Sequence, residues 1–291
     1  MRHMGDVLAG IHATWEFDAD SVLIRFERGI RTPKLLQSLR ERRIPHAALS
    51  SVTLTPGKRD TVVLRAVPRP GADPLLEAAA GQLKEGCDPY RLVLPAEREL
   101  LAEYYADELR SRLGPASDEP ADRFLVAAPE APMQFKAYDG RAGFDGERVS
   151  FRWFWTGASS AKWKAGDQTY RVNELAGIEW RSPEALDGHL RLLPREGAEV
   201  RVAADQDPAA VLFGLGYGPV HESLPFAAAV LESVRRAASA PAVPAPVLVN
   251  AGRRDPADIA ERIHHLGELH QAGLVTDDEY SAKKAELLAE L

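Results

Sequence analysis

Cysteine is almost missing from this chain: Cys87 is the one thiol in 291 residues. It has no partner for an internal disulfide, and such usage points to a reducing, cytoplasmic setting. No Cys-x-x-Cys or His-x-x-x-His pair occurs, so a structural zinc is not expected. No run of 18 apolar residues occurs, so no transmembrane helix is expected. The opening stretch Met1–Gly10 is short and polar and does not read as a signal peptide. A basic excess is lacking too. Lys plus Arg number 36 against 43 Asp plus Glu, a net charge of -7, whereas nucleic-acid-binding domains are usually basic. Nucleic acid is therefore not an expected partner, although one local basic patch remains compatible with the balance.

Catalytic and cofactor patterns are equally scarce. Gly214-Leu215-Gly216-Tyr217-Gly218 lacks the Lys-Ser/Thr of a phosphate loop, has the wrong glycine spacing for a dinucleotide fold, and runs straight into Pro219. It reads as a loop leading into a helix. His221-Glu222-Ser223 and His189 do not form a recognisable triad. Cys87 has no second cysteine for redox exchange. No catalytic residue, cofactor or metal is assigned, and a non-enzymatic role is expected.

What is present is a strand-rich body, and the length allows two domains. Trp15 and Phe17 alternate with Glu16, and Val22, Ile24 and Phe26 follow after the turn Asp18-Ala19-Asp20. This predicts a hairpin over Thr14–Glu27. Thr32–Arg43 is a short helix or an irregular connection. Strands are predicted around Val52–Leu54, Thr61–Arg65 and Asp88–Leu94, with a loop and a helical turn near Pro74-Leu75. Glu97–Leu113 is a helix whose Leu100, Leu101, Tyr104, Tyr105, Leu109 and Leu113 read as one broad face. Residues 115–133 carry Pro115, Pro120, Pro129 and Pro132 and read as a linker.

The pattern then recurs at an offset of about 127 residues. Phe17–Arg25 matches Phe144–Arg152, Leu49–Val52 matches Leu175–Ile178, and Thr61–Arg65 is echoed by Gly188–Leu192. A second helix with Phe226, Ala229, Val230 and Val234 on its face closes the unit. Asp18 and Asp145 are shared and read as turn residues that accept their own backbone amides. Strands followed by one helix predict an α+β fold: two tandem domains, 9–114 and 134–237, each a curled antiparallel sheet or partly open barrel capped by a C-terminal helix. This is the pleckstrin-homology-like (PH-like) plan, although the pattern alone leaves other small α+β folds open.

The second copy holds four of the five tryptophans, Trp153, Trp155, Trp163 and Trp180. Val149, Phe151, Trp153 and Trp155 are expected on one side of a strand, and Thr156–Lys164 as a hairpin tip. Arg152, Trp155, Lys162, Trp163 and Lys164 form the candidate patch for a protein, a peptide or an anionic membrane surface.

Residues 238–254 are Ala- and Pro-rich and read as an extended arm. Residues 255–291 read as a helical hairpin. Asp255-Pro256 opens its first helix, and Ile259, Ile263, Leu266 and Leu269 make an apolar stripe. Gly273 suits a C-cap, Leu274-Val275 bridges, and Thr276 with Glu279 forms a capping box with Tyr280 positioned for a staple on Val275. Leu287 and Leu288 continue the second face. So small a unit needs contact with other structure, either the body of the same chain or another copy. Ile259, Ile263, Leu266, Leu269, Leu274, Val275, Tyr280 and Leu287 are the candidate interaction residues, and a homo-oligomer is expected.

Two resemblances follow from these residues. The stretch Ala272-Gly273-Leu274-Val275-Thr276, Asp278-Glu279-Tyr280 and Lys283-Lys284 resembles the short C-terminal (SHOCT) domain of bacterial proteins, which implies oligomerisation or interaction and no catalysis. Gly71-Ala72-Asp73-Pro74-Leu75, Asp88-Pro89-Tyr90-Arg91-Leu92, Tyr138-Asp139-Gly140, Phe144-Asp145-Gly146, Gly177-Ile178-Glu179-Trp180 and Gly188-His189-Leu190-Arg191 resemble the DUF4429 family of actinobacterial proteins. That resemblance implies paired PH-like domains followed by the short C-terminal domain, and no established biochemical function.

Overall fold

The computed structural model describes residues 6–195, 202–239, 281 and 284. The chain divides into two compact units, Met1–Ala240 and Pro241–Leu291. The hairpin residues Ile259, Ile263, Leu266, Leu269, Leu274, Val275, Tyr280 and Leu287 lie outside the described residues.

The first copy begins with strands β1 (Asp6–Ala9), β2 (Ala13–Phe17) and β3 (Ser21–Phe26), helix α1 (Lys34–Leu39) and strand β4 (Glu41–Pro45). The four strands pair antiparallel in sequence order. Strands β5 (Leu49–Pro56) and β6 (Thr61–Pro68), helix α2 (Pro74–Ala79) and strand β7 (Arg91–Pro95) follow. They give a three-stranded antiparallel sheet β5-β6-β7, and α3 (Glu99–Ser111) closes the copy. Two of these strands escape the sequence pattern. In β1 only Leu8 is buried, too little to show alternation. β4 reads as charged because its Arg42 is buried beside a carboxylate.

The second copy repeats the order. Strands β8 (Met133–Lys136), β9 (Gly140–Phe144) and β10 (Arg148–Trp153), helix α4 (Ser160–Ala165) and strand β11 (Gln168–Arg171) come first. Strands β12 (Leu175–Arg181), β13 (His189–Pro194) and β14 (Ala210–Leu212) then lead to helix α5 (Val220–Ser239). The sheets are again four-stranded, β11-β10-β9-β8, and three-stranded, β12-β13-β14. Even an irregularity repeats. A 3₁₀ turn precedes β5 and β12, and each of these strands shifts register just after its start, between Leu49 and Ser51 and between Leu175 and Gly177. A bulge bends its strand, so both copies turn from one sheet into the next with the same device.

The closing helices behave differently. The six apolar residues read as one face of α3 are split. Tyr105 and Leu109 go inward with Ala102 and Ala106, while Leu100, Leu101 and Tyr104 stay exposed. The small alanines let the helix sit close to its sheet, which turns the larger side chains outward. By contrast α5 is buried almost all round, from Ser223 to Val230 and again at Val234. Its second cover comes from the first copy. Leu35 of α1 and Leu75, Ala78 and Ala79 of α2 share one apolar cluster with Phe226, Val230 and Val234. Gln82 stitches the junction, its amide donating to the Trp180 carbonyl at 3.0 Å and accepting from the Ser182 amide at 2.9 Å. Arg235 pairs with Glu77. The second copy's core is therefore completed by helices that the sequence assigns to the first, and α2 has no counterpart in the second copy among the described residues.

Candidate functional site

The sequence block Gly71–Leu75 meets Arg42 and Tyr90 in one buried network. Asp73 caps α2 by accepting from the Leu75 amide at 2.9 Å. The same carboxylate accepts from Arg42 at 2.7 Å and from the Tyr90 hydroxyl at 2.6 Å, and the two ionic side chains are only 4% and 1% exposed. Burial works against the Arg42 charge, yet Asp73 and Tyr90 hold its pKa above the ordinary value. Burial also pushes the Tyr90 phenol well above its usual value, against the pull of Arg42. This network ties the start of α2 to β4 and to the residue that leads into β7.

A second pair is kept in both copies. Asp88 accepts from the Tyr90 amide and binds Arg65 at 2.8 Å. Asp207 accepts from the Ala209 amide and lies 3.0 Å from Arg191. Each pair sets the start of the third strand of its sheet. Sequence comparison missed it because α2 lengthens the interval in the first copy only. The turn aspartates diverge. Asp145 accepts the amides of Glu147 and Arg148 as expected, whereas Asp18 is taken by the Arg43 guanidinium at 2.5 Å.

The predicted patch needs correction. Thr156–Lys164 is not a hairpin tip: it enters α4, with Ser159 as N-cap. This turns Lys162 inward. Its ammonium binds Asp139 at 2.5 Å and the Ala210 carbonyl at 2.8 Å, 5.0 Å from the Trp153 ring centroid, and it is 0% exposed. Burial lowers the Lys162 pKa, and Asp139 opposes that shift. Lys162 is thus an interior strut and leaves the patch. Trp155 is not on the inward side of β10 either. It follows the strand, 58% exposed, edge-on to half-buried Trp163 with centroids 5.0 Å apart. Arg152 and Lys164 are exposed.

Arg152 belongs to a larger arrangement. In the β8–β11 sheet Phe135, Ala142, Phe144, Val149, Phe151 and Trp153 face the core, so the alternate residues face outward. Register places Lys136 opposite Arg141, and Arg141 opposite Arg152. Arg148 lies opposite Arg171 in the same way. Between these rows run Gln134, Gly143, Ser150 and Thr169. The four strands contain no acidic residue. The matching sheet of the first copy carries Glu16 and Glu41, which pair with Arg25. Like charges directly opposite work against a sheet, and Lys136 opposite Arg141 and Arg148 opposite Arg171 are such pairs.

An aromatic rim adjoins one end of this face. The Lys136 ammonium lies 5.4 Å from the Phe154 ring centroid and 5.3 Å from that of Tyr217. Tyr217 meets Tyr138 edge-on at 6.2 Å. The glycine-rich loop serves here. Gly214 and Tyr217 bridge, and Gly216 and Gly218 take positive φ of 81° and 60°, a conformation glycine adopts without penalty. The tight turn lays Tyr217 beside Lys136 and leaves Leu215 fully exposed at its tip.

A shallow cleft of about 120 Å³ lies elsewhere, between the start of α1, the segment after α2 and the start of α5. It is lined in part by Lys34, Lys84, Cys87, Glu184 and His221. Lys84 pairs with Glu184. Burial, then Glu184, raises the Cys87 pKa, and burial, with help from Lys34, lowers that of His221. That direction disfavours the thiolate, the form that redox or nucleophilic chemistry uses. Among the described residues no cluster of His, Cys, Asp or Glu could hold a metal ion, and no helix is long and apolar enough to cross a membrane.

A family model described as Domain of unknown function (DUF4429) matches residues 15–110 and again residues 142–231, well over half of the chain. No curated protein matches it.

Proposed function

The chain belongs to the DUF4429 family, two copies of whose domain make up most of its length, and from the divergence of those copies we propose that it is a non-enzymatic, self-associating adaptor that docks on an acidic partner. The observation that carries this reading is the set of outward cations Lys136, Arg141, Arg148 and Arg171 on four strands that contain no acidic residue, where the matching sheet of the first copy carries Glu16 and Glu41. The buried use of Asp73, Arg42 and Tyr90 supports a scaffold over a catalyst. We read each copy as PH-like, because a four-stranded sheet, a three-stranded sheet and a closing helix follow in that order.

Docking is tested with polyglutamate immobilised on a column. The full chain is retained at low salt and elutes as salt rises, and Arg141→Glu with Arg148→Glu abolishes retention. Retention unchanged in that variant would refute the docking face. Self-association is assigned to the stripe Ile259, Ile263, Leu266 and Leu269 together with Leu274, Val275, Tyr280 and Leu287, and it rests on their sequence pattern and on the likeness to the short C-terminal domain. Light scattering after size exclusion checks it: the full chain runs as a discrete oligomer and a chain stopped at Ala251 as a monomer. Equal masses would remove assembly from the tail.

A further inference from the structure

We propose that the β8–β11 face docks on the surface of an anionic lipid bilayer, with its cations over the headgroups and Leu215 and Tyr138 at the interface. This rests on the docking reading above and names its partner. Three observations select a bilayer over other acidic surfaces.

The first is shape. The row Gln134, Gly143, Ser150 and Thr169 separates the two cationic rows with small or unbranched polar groups. No charged or aromatic side chain stands between the two cationic rows, so both can meet one extended acidic surface together.

The second is the combination of two chemistries. Lys136 belongs to the cationic row and also lies beside Phe154 and Tyr217, so charge and rim are continuous. Tyr138, edge-on to Tyr217, is 50% exposed, and Leu215 stands wholly in solvent. Amphipathic rings beside an aliphatic tip match the headgroup region, where Trp and Tyr concentrate. Basic residues at that depth are drawn by the negative surface potential.

The third speaks against nucleic acid. The outward strand positions are Gln, Lys, Arg, Gly, Ser and Thr, with no aromatic on which a base can stack. The chain as a whole is acidic, at -7, so attraction is confined to this face.

The test is co-sedimentation of the full chain with phosphatidylcholine vesicles and with vesicles rich in phosphatidylglycerol. Binding is expected to the second only, and to fall as salt rises. Each cation reversed weakens partition about fivefold or more, so Arg141→Glu with Arg148→Glu reduces it beyond detection. Leu215→Ser weakens it several-fold with the salt dependence unchanged. Absence of binding to the anionic vesicles, or binding that survives the double reversal, overturns the proposal. If polyglutamate retains the chain while anionic vesicles do not, the partner is an acidic protein and the docking reading stands. If neither is bound, both fail.

Discussion

Asp73→Ala lowers the urea midpoint of the folded body by more than about 1 M, on a loss of about 3–5 kcal/mol. The size follows from what the carboxylate holds. Its removal leaves the Arg42 guanidinium buried with only the Tyr90 hydroxyl, at 3.2 Å, and the face of the Tyr90 ring. It also frees the Leu75 amide at the start of α2. Removing one partner of a buried pair strands the other, which costs more than the pair's net contribution. Because α2 covers α5, the damage reaches the second copy's core. Asp73→Asn separates the two roles: it still caps the helix but no longer balances the charge, so its midpoint falls between the two. A midpoint for Asp73→Ala within about 0.3 M of the parent would show that Arg42 finds another partner.

Asp139→Asn is the second large effect, at about 3–5 kcal/mol, in a place where the sequence suggested a surface lysine. The amide can still accept from the Leu212 amide, which Asp139 does at 2.8 Å, but it leaves the Lys162 ammonium without a counter-charge. Lys162→Met in the same chain restores most of the loss, to within about 2 kcal/mol, since an apolar replacement of a buried pair is often close to neutral. A double-mutant cycle measures this coupling. The pH dependence has a definite sign. Burial lowers the Lys162 pKa below 10.5, and Asp139 is the main influence raising it. Without that carboxylate the folded pKa falls further. The unfolded chain then binds more protons than the folded one between the lowered value and 10.5. Stability therefore rises with pH across that window, and the Asp139→Asn deficit shrinks between neutral pH and about pH 10. A deficit that is flat with pH, or a double variant no better than the single, would show that Lys162 is not stranded.

The α+β class, the duplication and its alternating strands were legible in the chain because they depend on local period and order. Phe17–Arg25 against Phe144–Arg152 aligns β2–β3 with β9–β10, and the closing helices α3 and α5 follow where their apolar residues recur. Charged positions were read less well. Lys162, Arg42 and Asp73 look like solvated residues in a linear text, since burial of a charge depends on a partner brought from elsewhere: Asp139 for the lysine, and β4, the start of α2 and the residue that leads into β7 together for the other network. The aligned cations Lys136, Arg141 and Arg152 are scattered along three strands and come into one row only through antiparallel register.

By itself, then, the sequence determined a chain with no disulfide, a duplicated strand-rich body and a family resemblance, because composition and periodicity are properties of the chain alone. Only the tertiary structure decided that α1 and α2 complete the other copy's core, that Lys162 is interior, and that one sheet face is basic beside an aromatic rim. Each of these depends on packing and strand register between distant segments, where the free energy of burying or exposing a charge is set by neighbours that sequence spacing does not reveal.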